Sequence, residues 1–286
     1  MRGATMGSYL RPQSIKDALD ALATGPRVLL AGGTDYYPAR VGLPLDDDIL
    51  DITAIPDLTG ITDAGDHWRI GAMARWSDLN RIELPPAFDG LKAAARRIGG
   101  AQVQNAATIC GNVCNASPAA DGVPNLLVLD AAVELSSTGS TRTLPVGDFI
   151  TGNRATGRRT DELVTALLIP KTPDGAHGDF LKLGARSYLV ISIAMVAVLL
   201  APATDGTVAE ARIAVGACSP VAQRLPALEA ALRGCPLDTG LGRIPDPSHL
   251  APLSPINDVR ATAGYRLDAA LTLLCRALRE LGEGMA

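Results

Sequence analysis

The sequence predicts an α+β chain divided into two domains, and three observations carry that prediction. Short apolar runs of strand length, each stopped by Gly or Pro, alternate with stretches whose apolar residues recur at helical spacing. Pro170-Lys171-Thr172-Pro173 sets two prolines within four residues, the composition of a linker. Beyond it, successive apolar runs read as an antiparallel sheet, followed by two helical patterns. The 286 residues suffice for two domains with a sizeable core.

Taken in order, Ser14 is a candidate N-cap, and Ile15, Ala18, Leu19 and Leu22 fall on one helical face. Gly25-Pro26 stops that helix. Val28 to Ala31 is a buried-strand run ended by Gly32-Gly33, and a second strand is expected from Ile49 to Ile52. Trp68 to Ala72 reads as a strand, Trp76 to Leu79 opens a short helix, and Phe88 to Ile98 is helical. From Gly99 to Asp121 the chain is polar, rich in Gly and Asn, and almost without period. Short apolar segments resume at Leu126–Leu129, Val133–Leu135, Leu144–Phe149 and Leu163–Ile169. After the linker, Phe180–Leu183, Val190–Leu200 and Val208–Val215 are expected strands, and Pro226–Arg233 and Thr262–Leu281 expected helices. Cys235 to Pro255 carries five prolines and reads as an extended surface crossing.

Composition mainly excludes. The chain is 47% hydrophobic and 20% charged, hence globular, and its 3% aromatics leave the core to Ala, Val, Leu and Ile. A net charge of −4 and a pI of about 5.4 speak against a nucleic-acid binder. Four lysines, none after a glycine, exclude a Walker A loop, and three scattered histidines exclude the usual zinc-hydrolase spacing. The excess of arginine reads as composition rather than as an anion-binding surface. Five cysteines do not read as a disulfide framework. Met1 to Thr5 leads into polar sequence without the apolar run of a signal peptide, and the uncharged stretch Ser187 to Thr204 reads as a buried strand rather than a membrane span. The expectation is a soluble, cytoplasmic protein.

Two glycine-centred loops carry the chemistry. In Leu29-Leu30-Ala31-Gly32-Gly33-Thr34-Asp35, two glycines directly after a strand let the backbone approach a ligand and leave several N–H groups pointing one way. Such a nest suits a phosphate, although a strand ending in Gly-Gly is also an ordinary turn. In Thr108-Ile109-Cys110-Gly111-Asn112-Val113-Cys114-Asn115-Ala116-Ser117-Pro118-Ala119-Ala120-Asp121, small and hydrogen-bonding residues dominate. That loop either caps helices or lines a polar ligand. No Gly-x-Gly-x-x-Gly occurs, so the dinucleotide fingerprint is absent.

Together, Ala31-Gly32-Gly33-Thr34-Asp35, Thr108-Ile109-x-Gly111-Asn112 and Ala116-Ser117-Pro118-x-x-Asp121 resemble the FAD-binding medium subunit of the molybdenum hydroxylases, the xanthine dehydrogenase and carbon monoxide dehydrogenase family. Tyr9-x-Arg11-Pro12-x-Ser14, Ile70-Gly71-Ala72, Phe180-x-Lys182-x-x-x-Arg186 and Asp258 through Tyr265-Arg266 extend the resemblance over nearly the whole chain. It implies a vanillyl-alcohol-oxidase-like (PCMH-type) FAD-binding domain of two α/β subdomains over about 1–57 and 58–173. A C-terminal flavin-covering domain with an antiparallel sheet and helices then spans 174–286.

By the same resemblance, Leu29, Leu30, Ala31, Gly32, Gly33, Thr34, Asp35 and Tyr36 hold the pyrophosphate. Thr108, Ile109, Cys110, Gly111 and Asn112 form the opposing clamp, and Asp121 binds a cofactor hydroxyl or the flavin edge. Ile98 packs on adenine, Val164 contacts the cofactor, Lys182 lies near the flavin, and Ile191 leans on its ring. Cys110 stands where the family usually has Gly, a strained substitution only if that backbone has a positive φ. Cys110 and Cys114, three residues apart with no second pair, read as buried small residues rather than a metal or redox site.

The implied function is to carry FAD, the expected sole redox centre of this chain, as an electron-transfer subunit without a catalytic side chain. A large subunit with a molybdenum-pterin cofactor oxidises the substrate, and a small subunit with [2Fe–2S] clusters feeds electrons to FAD for an external acceptor. A dimer of heterotrimers is expected. The alternative is a stand-alone FAD-dependent oxidoreductase of the same fold.

Overall fold

The computed structural model describes residues 7–286, so the leader reading drawn from Met1 to Thr5 lies outside the described residues. The first strand, β1 (Tyr9–Leu10), precedes helix α1 (Ile15–Ala23), whose N-terminus is capped by the Ser14 hydroxyl accepting from the Asp17 N–H at 3.1 Å. Ala18, Leu19 and Leu22 are its buried face, as the spacing predicts. Strands β2 (Val28–Leu30) and β3 (Ile49–Asp51) then build a small parallel sheet in the order β1-β3-β2. The edge strand β1 is too short to register in the sequence pattern.

A second, antiparallel sheet follows. Its strands are β4 (Ile61–Asp63), β5 (His67–Gly71), β6 (Ala132–Ser136), β7 (Thr141–Pro145) and β10 (Leu163–Pro170), in the order β4-β5-β10-β6-β7. Between β5 and β6 run helices α2 (Trp76–Arg81), α3 (Asp89–Arg97), α4 (Ala101–Gln104), α5 (Ile109–Asn115) and α6 (Gly122–Val128). The nearly aperiodic stretch from Gly99 to Asp121 is therefore partly helical. Its helices are so short that two turns at most display a period. Helix α7 (Val146–Phe149) leads into a small hairpin of β8 (Ile150–Gly152) and β9 (Ala155–Thr156).

The C-terminal part is a four-stranded antiparallel sheet, β11 (His177–Leu183), β12 (Ala194–Pro202), β13 (Val208–Gly216) and β14 (Gln223–Arg224), followed by helices α8 (Pro226–Leu232) and α9 (Ala263–Met285). Strand β12 is buried on both faces. Met195, Ala197, Leu199 and Ala201 join the core that contains α3 and α6, whereas Ala194, Val196, Val198 and Leu200 join a second core under α8 and α9. That double burial is why the strand reads as an unbroken apolar run. It starts later than the expected Val190, because residues 190–192 are drawn into polar contacts described below. The proline-rich crossing runs over the surface as expected, but it is folded into two short 3-10 turns (Thr239–Arg243 and Pro247–Leu250) rather than extended, and Leu237, Leu241, Leu250 and Leu253 anchor it in the core under α9. No helix among the described residues is long and apolar enough to cross a membrane.

Candidate cofactor cleft

The loop after β2 is shaped by its two glycines. A Cβ on Gly32 would stand 2.1 Å from the Ala106 carbonyl oxygen, so only glycine lets the loop approach the segment that leads into α5. Gly33 has φ +67°, the left-handed conformation that glycine adopts without a Cβ clash. Beyond them, Tyr36 donates from its hydroxyl to Asp47 at 2.8 Å, and the Arg40 guanidinium lies over the Tyr36 ring at 4.1 Å while donating to the same carboxylate. Among the described residues, the backbone N–H groups of Gly32, Gly33, Thr34, Asp35 and Tyr36 have no hydrogen-bond acceptor on the chain.

Across from this loop, Thr108 caps α5, its hydroxyl oxygen accepting from the Gly111 N–H at 2.9 Å. Between the two lies a cleft of about 720 Å³, of the size that holds a nucleotide-class ligand. It is lined by residues 29–36, Ile98, Thr108, Cys110, Gly111, Asn112 and Val164, so the structure gathers most of the sequence-predicted site in one place. The Asn112 amide oxygen is buried without a hydrogen-bond partner, which asks for a donor from outside the chain.

The remaining predicted residues sit elsewhere. Ile109 is fully buried and spends its N–H on the Ala74 carbonyl at 3.0 Å, so it supports the loop from behind rather than lining the cleft. Asp121 and Lys182 are buried against each other: Lys182 Nζ donates to Asp121 at 2.6 Å and to the Val190 carbonyl at 3.2 Å, and Ser192 donates to the other Asp121 oxygen at 2.5 Å. Burial pushes the Asp121 carboxyl up, with Lys182 and Ser192 opposing. Both charged groups are thus engaged with protein partners instead of opening on the cleft. Ile191 lies exposed on the segment between these contacts.

Cys110 has a helical backbone without positive φ, so its place in a usual glycine position is unstrained. Burial pushes its thiol well above the ordinary cysteine range. Cys114, expected to be buried, is exposed and lines the cleft. Among the described residues, no three His, Cys, Asp or Glu side chains are grouped to hold a metal ion.

Sequence reasoning missed the charge of the cleft. Among the described residues, Arg27, Arg40, Arg154 and Arg158 line it, and Asp35 is the one acidic side chain that does. The arginines attributed to composition thus give the site an anion-attracting field. Arg154 comes from the β8–β9 turn, 119 residues from the Asp35 that it pairs with, and no local motif marks it. Free backbone donors, an orphaned buried acceptor, apolar walls from Ile98 and Val164 and a surplus of positive charge together suit an extended dinucleotide with a pyrophosphate.

The family model for the FAD binding domain in molybdopterin dehydrogenase matches residues 4–172, and that for the CO dehydrogenase flavoprotein C-terminal domain matches residues 179–281. The chain is similar to the nicotine 6-hydroxylase medium subunit of Paenarthrobacter nicotinovorans, 31% identical over 96% of both chains. It is also similar to the xanthine dehydrogenase FAD-binding subunit of Escherichia coli, 30% identical over 96% of this chain and 95% of that one. Among solved structures, it matches a chain of reconstituted CO dehydrogenase from Oligotropha carboxidovorans with a TM-score of 0.89, 28% identity and 98% of both chains covered. The cleft, its donor set and these matches lead to one conclusion: the chain belongs to the family of FAD-binding subunits of molybdopterin dehydrogenases.

Proposed function

We propose that the chain holds FAD between residues 29–36 and 108–112 and serves as the electron-transfer subunit of a multi-subunit molybdenum hydroxylase. One observation carries the reading: five successive unengaged N–H groups on a glycine-built loop share a cleft with the orphaned Asn112 oxygen. Gly32 to Tyr36 supply amide donors for the pyrophosphate. Each bond to a charged oxygen is worth about 1.5–3 kcal/mol, so several such donors hold the group without a lysine. The Thr108 hydroxyl accepts from Gly111 and keeps its own proton to donate. Asn112 accepts a cofactor hydroxyl, and Ile98 and Val164 supply apolar walls for the rings. Asp121, Lys182 and Ser192 fix the segment that carries Ile191 and so position it to cover the flavin.

When bound, FAD exchanges electrons singly or in pairs, which is why the chain needs no catalytic side chain of its own. The residues here bind and orient the cofactor and exclude water from it. The chain would work beside a large molybdenum-pterin subunit and a small [2Fe–2S] subunit, relaying electrons from the clusters to an external acceptor. We place the assembly in the cytoplasm as a dimer of heterotrimers. The names of the full-length relatives, medium or FAD-binding subunit, support a shared assembly, and five free cysteines suit a reducing compartment.

The test is flavin content. The chain purified from its host is expected to be yellow, with FAD stoichiometric to the chain and the two partner subunits retained. Gly33→Asp, which sets a carboxylate into the phosphate loop, is expected to remove the flavin. A folded, colourless wild-type chain that takes up no added FAD overturns the reading.

A further inference from the structure

Among the described residues that line the cleft there is one carboxylate, and it stands in the worst place for an anion site. Asp35 belongs to the loop whose five N–H groups are free, so its charge repels any phosphate that those donors attract. The structure answers that charge from another element. Arg154 sits in the two-residue turn between β8 and β9 with φ +58°, a conformation that side chains other than Asn or Asp seldom adopt. Its N–H donates to the Ala116 carbonyl at 2.9 Å, anchoring the turn to the end of α5. Its guanidinium reaches both Asp35 oxygens, Nη1 at 2.5 Å and Nη2 at 3.4 Å, and Nη1 also donates to the Asn115 side-chain oxygen.

We propose that Arg154 is a charge-masking residue of the cofactor cleft: by pairing with Asp35 it cancels a negative charge beside the pyrophosphate donors. This inference rests on the reading of the cleft as the FAD site. It assigns Arg154 a positioning role, acting on cofactor retention through Asp35. The arrangement also separates masking from simple attraction. If Arg154 worked only as a cation for the phosphate, Arg154→Gln would speed release as much in an Asp35→Asn background as in the native one, whereas under masking it has no effect there. Under masking, removing both charges leaves the loop as neutral as the native pair.

The experiment follows FAD release from the loaded chain by recovery of flavin fluorescence, for wild type, Arg154→Gln, Asp35→Asn and the double variant. Arg154→Gln is expected to release FAD about two- to five-fold faster at low salt, the range that a half-exposed ion pair supports. That difference should close at high salt, where repulsion is screened. Arg154→Lys should keep a near-native rate. Adding Asp35→Asn to Arg154→Gln should restore the wild-type rate, and Asp35→Asn alone should release no faster than wild type. A native release rate in Arg154→Gln overturns the proposal, as does a double variant that stays as fast as Arg154→Gln or releases faster than Asp35→Asn alone, or an Asp35→Asn that releases faster than wild type. A wild-type chain that binds no FAD is a different failure, that of the cofactor reading itself.

Discussion

Gly32 owes its identity to a carbonyl oxygen on another segment. With the Ala106 oxygen 2.1 Å from where a Cβ would stand, Gly32→Ala must push the glycine loop after β2 off the segment before α5. The expected cost is about 1–3 kcal/mol of stability, read from urea unfolding, together with loss of flavin from the purified chain. A native midpoint with full flavin would refute the close-approach argument. Arg266 makes a different demand. It is 2% exposed and donates to the carbonyls of Ile193 and Ala217 and to Asp258, joining α9 to the ends of β12 and β13. Arg266→Met strands two carbonyls, and unfolding should occur about 3 kcal/mol more easily. At this scale the sequence was only half legible. Gly32-Gly33 announces itself because the requirement is local, whereas the partners Arg154 and Asp35, or Lys182 and Asp121, are joined only by the fold.

Elements repeat that division. The pattern of β12 is readable as a buried strand, but its two faces look alike in sequence, since both are wholly apolar. Conversely, residues 190–192 look like strand and are not: the Val190 carbonyl accepts from Lys182, and Ser192 donates to Asp121. The second sheet carries a lock that gives it a pH dependence. Glu162, just before β10, receives Arg142 of β7 on both oxygens, at 2.6 and 2.9 Å, and the Arg159 N–H at 2.7 Å. Arg142 first, and then the Arg159 amide, hold the Glu162 carboxyl below its ordinary value of 4.5. The unfolded chain therefore takes up this proton more readily. The contribution is complete above the ordinary value and is lost as pH falls below it through the depressed one. Urea midpoints of wild type should drop on that acid limb, and Glu162→Gln should show a lower neutral midpoint with a shallower acid decline. Parallel curves would remove the lock from the account.

On the scale of the whole molecule, the two family-model matches meet in the segment after β10, yet the packing does not divide there. Phe180, Met195, Ala197, Leu199, Ala201 and Ala214 of the C-terminal sheet lie in the same apolar core as Leu91, Val123 and Leu126 of α3 and α6. The chain should therefore unfold as one cooperative unit. Calorimetry is expected to give a single transition, with the calorimetric and van't Hoff enthalpies in agreement. A fragment ending at residue 173 should aggregate, because it exposes the face that β12 covers. Two separated transitions, or a soluble folded fragment, would contradict a shared core. The linker Pro170-Lys171-Thr172-Pro173 is legible as a break in the chain, but a break in the chain is not a break in the packing.

The double-sided β12 also constrains how such subunits can be rebuilt. A chimera that joined this FAD-binding half to the C-terminal half of a relative would cut the chain at its natural joint and still divide a core. The graft would succeed only if the side chains at 195, 197, 199, 201 and 214 travelled with the half they pack against. Recombination in this architecture would have to follow the inward face of a strand rather than a boundary between domains.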